Sequence, residues 1–135
     1  MEIYSRIYKE KGLFLQKYTG EFSAEEYKNY ALATISKPEW NYVTKSLFDF
    51  RDLTFSGTED VIDELIKFRN EMKIQNIVTV YLVSSPLATV LTHLYIDQVK
   101  SSNYYYCTTI EKAISILEID TNSIEIEALL LNLTK

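Results

Sequence analysis

The chain has 135 residues, 47% of them hydrophobic, with a net charge of −5 and a pI near 4.9. That length supports one domain with a core that needs no disulfide or metal staple. Fourteen Lys and Arg are scattered among nineteen Asp and Glu, so no basic cluster exists to neutralise phosphates, which argues against nucleic acid and against an anionic membrane surface as partners.

The single cysteine, Cys107, cannot close an internal disulfide and suits a reducing compartment. The first twelve residues hold no apolar signal region. The longest apolar run, 77–83, is too short to cross a bilayer, so no membrane insertion and a cytoplasmic location are expected.

Residues 3–9 alternate, with Ile3, Ser5 and Ile7 against Tyr4, Arg6 and Tyr8, as a half-buried strand does. Glu10-Lys11-Gly12 supplies a turn, and 13–19 reads as the return strand of a hairpin, with Leu13, Leu15 and Lys17 opposite Phe14, Gln16 and Tyr18. Gly20 breaks that strand. Ser23 and Glu26 form a capping box for a helix whose inward face is Tyr27, Tyr30, Ala31, Thr34 and Ile35. Pro38 ends it, and Trp40 and Tyr42 are expected to pack on the core.

A buried strand follows at 46–50, then a polar turn at 51–58 and an amphipathic helix at 59–72. Residues 76–84 are apolar on both faces, the pattern of a central strand covered from both sides. Ser85 and Pro86 open a helix to about residue 99, with Leu87, Val90, Leu91, Leu94 and Tyr95 inward. A short strand at 104–107 precedes a capping box, Thr108 to Glu111, and a helix through Leu117. The Tyr104-Tyr105-Tyr106 run is either edge-strand packing or an aromatic contact surface.

The tail fits a strand by alternation and a helix by spacing, and Glu-Ala-Leu-Leu-Leu favours the helix. It lies beyond the βαβα pattern and could cover a sheet edge or pair with a second copy, making a homodimer. The expected fold is α/β: a mixed, mostly parallel five-stranded sheet with helices packed on it and an N-terminal hairpin. Residues 1–118 form the domain and 119–135 a helical C-terminal extension.

The chemistry gathers where the third strand meets its helix, because ligands of open α/β sheets sit at such strand ends. Asp49, Arg51, Asp52, Thr54, Ser84 and Ser85 form a candidate binding face there. Asp49 and Arg51 are two apart, share a face and can pair. Ser56 to Glu59 has capping-box spacing, with Thr58 as the alternative cap. Ser56 and Thr58 are also candidate phosphorylation sites, since a helix N-terminus stabilises an added phosphate, although Glu59 and Asp60 would repel it.

His93 is the only histidine and reads as structural, with no metal site to join. Cys107 reads as a small buried hydrophobe, and a Cys107–His93 catalytic pair would need spatial contact. Three glycines cannot build a phosphate loop, so no nucleotide cofactor is expected, and no catalytic constellation emerges.

The element order, the Asp49-Phe50-Arg51 strand end, the Phe55-Ser56-Gly57 turn, the 77–83 strand and the closing Thr109, Glu111, Ala113 and Leu117 together resemble the SpoIIAA-like, or STAS, family, which is related to CRAL-TRIO lipid carriers. The resemblance covers about residues 2–118. It implies a non-enzymatic regulatory domain like the anti-sigma-factor antagonists, binding a protein partner and switched by phosphorylation of a turn serine. Only Ser56-Gly57 matches that turn; Phe55 replaces the expected polar residue. The alternative it implies is a carrier of a small lipid-like apolar ligand.

Overall fold

A computed structural model describes residues 1–56, 60–72, 76–99 and 103–135. Its five strands are β1 (Glu2–Tyr8), β2 (Leu13–Glu21), β3 (Lys45–Thr54), β4 (Val78–Leu82) and β5 (Tyr104–Cys107), and they lie in that order across one sheet. The β1–β2 pair is antiparallel and every other neighbouring pair is parallel. This is the expected mixed, mostly parallel α/β sheet with its N-terminal hairpin.

The helices are α1 (Ala24–Ile35), α2 (Asp60–Met72), α3 (Pro86–Val99), α4 (Ile110–Leu117) and α5 (Ser123–Leu131). Because strands β2 to β5 advance in one direction, right-handed crossovers place α1, α2 and α3 on the same face. No strand follows α4, so no crossover constrains it. It folds to the opposite face with α5, which is the layer Leu13 and Leu15 point into.

Strand alternation then builds two different cores. Leu13, Leu15, Leu47, Val80 and Leu82 face α4 and α5. Tyr18, Phe48, Phe50 and Tyr81 face α1 to α3. The extension is part of the first core: Ile126, Leu130 and Leu133 are buried in it, and Ser5 N donates to Thr134 O at 2.9 Å along the β1 edge. Of the two roles open to the tail, an edge contact with its own sheet is the one seen here.

Several local expectations change. β3 does not stop at Phe50; it runs to Thr54, so residues 51–54 are strand and not turn. The cause is β2, which passes through Gly20 at φ +87° instead of breaking there, and pairs Thr19, Gly20 and Glu21 with Asp52, Leu53 and Thr54. A register shift between Lys17 and Thr19 makes that extension possible.

The buried face of α3 is Ala88, Leu91 and Thr92, whereas Leu87 and Val90 are exposed. This helix is apolar on several sides, so spacing alone could not orient it. Trp40 does meet the core, edge-on to Phe14 at 5.7 Å, but Tyr42 is exposed beneath the Lys9 ammonium. Gly12 is needed at its turn: φ is +61°, and a Cβ there would stand 2.7 Å from Thr44 Oγ1. No helix among the described residues is long and apolar enough to cross a membrane.

Candidate functional site

The third strand carries an acid and a base on the face that its neighbours fill with leucine. Asp49 is 1% exposed. A carboxylate that deep must be paired or hydrogen-bonded. Arg51 supplies both needs: its Nε and Nη2 donate to the two Asp49 oxygens at 3.0 and 2.9 Å, and its backbone N–H donates to Oδ1 at 3.1 Å. The remaining guanidinium arm, Nη1, donates to Glu127 Oε1 of α5 at 2.6 Å.

Asp49 first, and Glu127 after it, hold the Arg51 guanidinium charged beyond its ordinary value, against the opposing effect of burial. The pairing anticipated from the two-residue spacing is therefore present. Its third member, Glu127, comes from a segment 76 residues away that sequence spacing could not connect.

Ser84 joins the same corner, its hydroxyl donating to the Arg51 carbonyl oxygen at 3.2 Å. Ser85 accepts from Ala88 N–H at 3.1 Å and so caps α3. Asp52 lies exposed beside Lys17, 3.5 Å from its Nζ, and Thr54 donates to the Gly20 carbonyl at 3.2 Å. These two serve the β2–β3 seam and do not join Arg51 and Ser84. Ser56 is exposed just past the strand. Thr58, Gly57 and Glu59, and with them the expected capping box, lie outside the described residues.

His93 and Cys107 are on opposite sides of the sheet. His93 stands 3.2 Å from the Tyr106 hydroxyl on the α3 side, while Cys107 is buried in the α4 layer with its thiol directed at the Thr109 carbonyl. Adjacent strand residues point to opposite faces, so this Cys–His pair does not form. Burial pushes the Cys107 thiol up, away from the reactive thiolate. Among the described residues no three His, Cys, Asp or Glu gather as a metal site.

Beside Arg51 lies a feature not anticipated from the motifs. After β4 the chain turns toward α3; after β5 it turns to the other face and enters α4, capped by Thr109, which accepts from Lys112 N–H. The divergence opens a groove of about 530 Å³ between the start of α4 and the length of α5. Arg51, Thr109, Glu111, Ile124, Glu127 and Leu131 line it.

Ile124 is 81% exposed and Leu131 74%, with exposed Ala128 between them. Positions i, i+4 and i+7 lie on one side of a helix, so α5 turns Ile126 and Leu130 inward and presents a second apolar stripe to water. The sequence signal was six apolar residues among the eight of 124–131, interrupted only by Glu125 and Glu127, more than one buried face of a helix holds. The interior also holds two cavities among the rings under α1 to α3, of about 70 and 40 Å³. Both are far below the several hundred Å³ of a usual drug-sized ligand pocket.

No known family model matches the chain, and no characterised protein matches it significantly.

Proposed function

We propose that this chain is a non-enzymatic binding domain that docks a helical segment of a partner protein in the groove between α4 and α5. The observation that carries the reading is the exposed Ile124–Ala128–Leu131 stripe. An apolar stripe left facing water on a helix whose other side is already buried is the usual mark of a contact surface. The small Ala128 at the centre allows a second helix to approach closely.

The groove also specifies charge. Among the described residues that line it the one cation, Arg51, is already bound by Asp49 and Glu127, while Glu111 stands exposed at the α4 end. The chain as a whole is acidic. A partner helix with an apolar stripe and flanking Lys or Arg satisfies both features. The resemblance to SpoIIAA-like regulators supports the same class of role. Exposed Ser56 is then the point at which phosphorylation would add charge at this end of the sheet.

A photo-crosslinking residue placed at Leu131, in the native host, is the test. The expected adduct joins this chain to a basic amphipathic helix of another protein, and Ile124→Glu abolishes it while leaving the unfolding free energy within about 0.5 kcal/mol of the parent. Adducts only between two copies of the chain, with a dimeric mass in sedimentation, would replace the partner by self-association. Absence of any adduct would remove the proposal.

A further inference from the structure

The two edges of the sheet are finished differently. At the β1 edge the chain covers itself: Ser5 N donates to Thr134 O, and Lys135 pairs with Glu2 at 2.8 Å. Glu2 and Arg6 add charge along that strand. Charge and a covering segment are common ways of keeping an edge strand from pairing with another chain. Among the described residues the β5 edge has neither. Tyr104–Cys107 has β4 on one side only, and the strand is three tyrosines and a cysteine. Between Ile74 and Ile110, the stretch that makes β4, α3 and β5, only Asp97 and Lys100 are charged, in a chain where 24% of residues are.

Backbone direction shows what this edge offers. The carbonyls of Asn103 and Cys107 turn toward β4, accepting from Thr79 N–H at 2.9 Å and Val83 N–H at 3.0 Å. Along a strand the amide and carbonyl of one residue point together, and successive residues alternate. Tyr105 therefore also turns to β4, while Tyr104 and Tyr106 direct their N–H and C=O groups outward. No hydrogen bond among the described residues reaches those outer groups.

Side chains alternate between the faces. Cys107 lies in the α4 layer, so Tyr105 stands on that face too, 41% exposed. Tyr104 and Tyr106 stand on the α3 face and are held there. Arg69 Nε donates to the Tyr104 hydroxyl at 2.9 Å, and His93 Nδ1 lies 3.2 Å from the Tyr106 hydroxyl. Rings fixed before contact lose little freedom on binding.

We infer that β5 pairs antiparallel with β5 of a second copy, about a two-fold axis at Tyr105, so that one sheet runs through both chains. In that register Tyr105 opposes Tyr105 of the second copy, a pair without mutual hydrogen bonds. Tyr104 opposes Tyr106, a pair that exchanges both its N–H···O bonds. Every position of the tyrosine run then meets a tyrosine, and aromatic cross-strand pairs are favourable. Moving the axis to Tyr106 sets Tyr105 against Cys107 and Tyr104 against Thr108, and the match is lost. Charge selects a second copy as the occupant. An uncharged edge gains nothing from a charged strand, and it is where two chains of net charge −5 meet without opposing acids. The contact uses the same patch on both chains, so it closes at a dimer. Helix α5, which carries the proposed docking stripe, packs beside β2, three strands away, so the two surfaces are independent.

A four-residue strand gives a small interface, so association in the micromolar to millimolar range is expected. Sedimentation equilibrium of the full chain should show an average mass that rises with concentration toward twice 15.8 kDa. Cysteine placement reads the register. In a Cys107→Ala background, Tyr105→Cys should form a disulfide between chains under mild oxidation, because a pair without mutual hydrogen bonds brings its Cα atoms to about 4.5 Å. Tyr106→Cys, at a similarly exposed position, should form at least tenfold less, because the two copies of residue 106 stand diagonally, about 7–8 Å apart. Tyr106→Pro removes an outward N–H that the single chain does not use, and should abolish association while leaving the fold intact. Tyr105→Lys, which sets like charges against each other on the axis, serves if the proline variant fails to fold. A parent chain that stays monomeric into the millimolar range would overturn the inference. So would dimers that persist in either folded variant, or equal cross-linking at positions 105 and 106.

Discussion

The two faces of the sheet are made from the same strands, one residue out of step, and they are built differently. Toward α4 and α5 the strands send aliphatic side chains, Leu13, Leu15, Leu47, Val80 and Leu82, and all are close to fully buried. Toward α1, α2 and α3 they send rings, one amide and two hydroxyls: Phe14, Gln16, Tyr18, Ser46, Phe48, Thr79 and Tyr81. Branched aliphatic chains interdigitate and leave little space. Rings are rigid plates that meet in set geometries, such as Phe48 stacked on Tyr81 at 4.7 Å and Tyr18 edge-on to Phe50 at 5.2 Å. Plates held at set angles leave gaps, and the two small cavities of about 70 and 40 Å³ described among the rings are on this side. The aliphatic face, dense within, carries its polar chemistry at one end, in Asp49, Arg51 and Glu127.

The largest expected effect tests that polar end. Arg51→Met removes the cation paired with a carboxylate that is almost wholly buried, and should cost about 3–5 kcal/mol in urea unfolding. The double variant Asp49→Leu with Arg51→Met should recover most of the loss, because the face then becomes apolar throughout. If the double variant is as unstable as the single one, the aliphatic layer is not the frame of that corner.

Neighbouring residues test the difference in packing directly. Leu47→Ala, on the dense face, is expected to cost about 2–5 kcal/mol, since the surroundings cannot collapse around the deleted atoms. Phe48→Leu, the next residue but on the cavity-bearing face, is expected to cost less than about 1.5 kcal/mol. Chemical denaturation of both decides it, and equal losses would break the comparison.

The faces should also part in alkali. Burial pushes the hydroxyls of Tyr18, Tyr27, Tyr81 and Tyr95 above the ordinary tyrosine value. Unfolded tyrosines ionise near about pH 10. Their contribution to stability is thus complete below that pH and is lost as the pH rises above it toward their folded values. The loss approaches about 1.4 kcal/mol per pH unit for each such tyrosine. Tyr18→Phe should flatten the alkaline limb of the melting-temperature profile, and Leu47→Val should leave its slope unchanged.

Much of this fold could be read along the chain, because strand alternation, capping boxes and the prolines are local signals. The Ser23 cap accepts from Glu26 N–H where its sequence pattern places it, whereas α4 is capped by Thr109, which accepts from Lys112 N–H, one residue after the Thr108 that the Thr108-to-Glu111 spacing marked. The hairpin turn at Gly12 and the two-faced strands followed from spacing alone. The Asp49–Arg51 pair was legible too, since two residues apart on a strand means one face.

What the sequence left open was decided by contacts between distant segments. Whether β3 ended at Phe50 depended on how far β2 ran beside it, and the backbone of Gly20 settled that by pairing with Leu53. Which side of α3 faced inward depended on the sheet it covers, since the helix is apolar on several sides. The second carboxylate on Arg51, Glu127, came from a segment 76 residues away. Local order follows from backbone sterics and residue spacing, which a chain carries with it everywhere. A site requires donors, charge and room to converge from separate elements, and only tertiary packing fixes which of them meet.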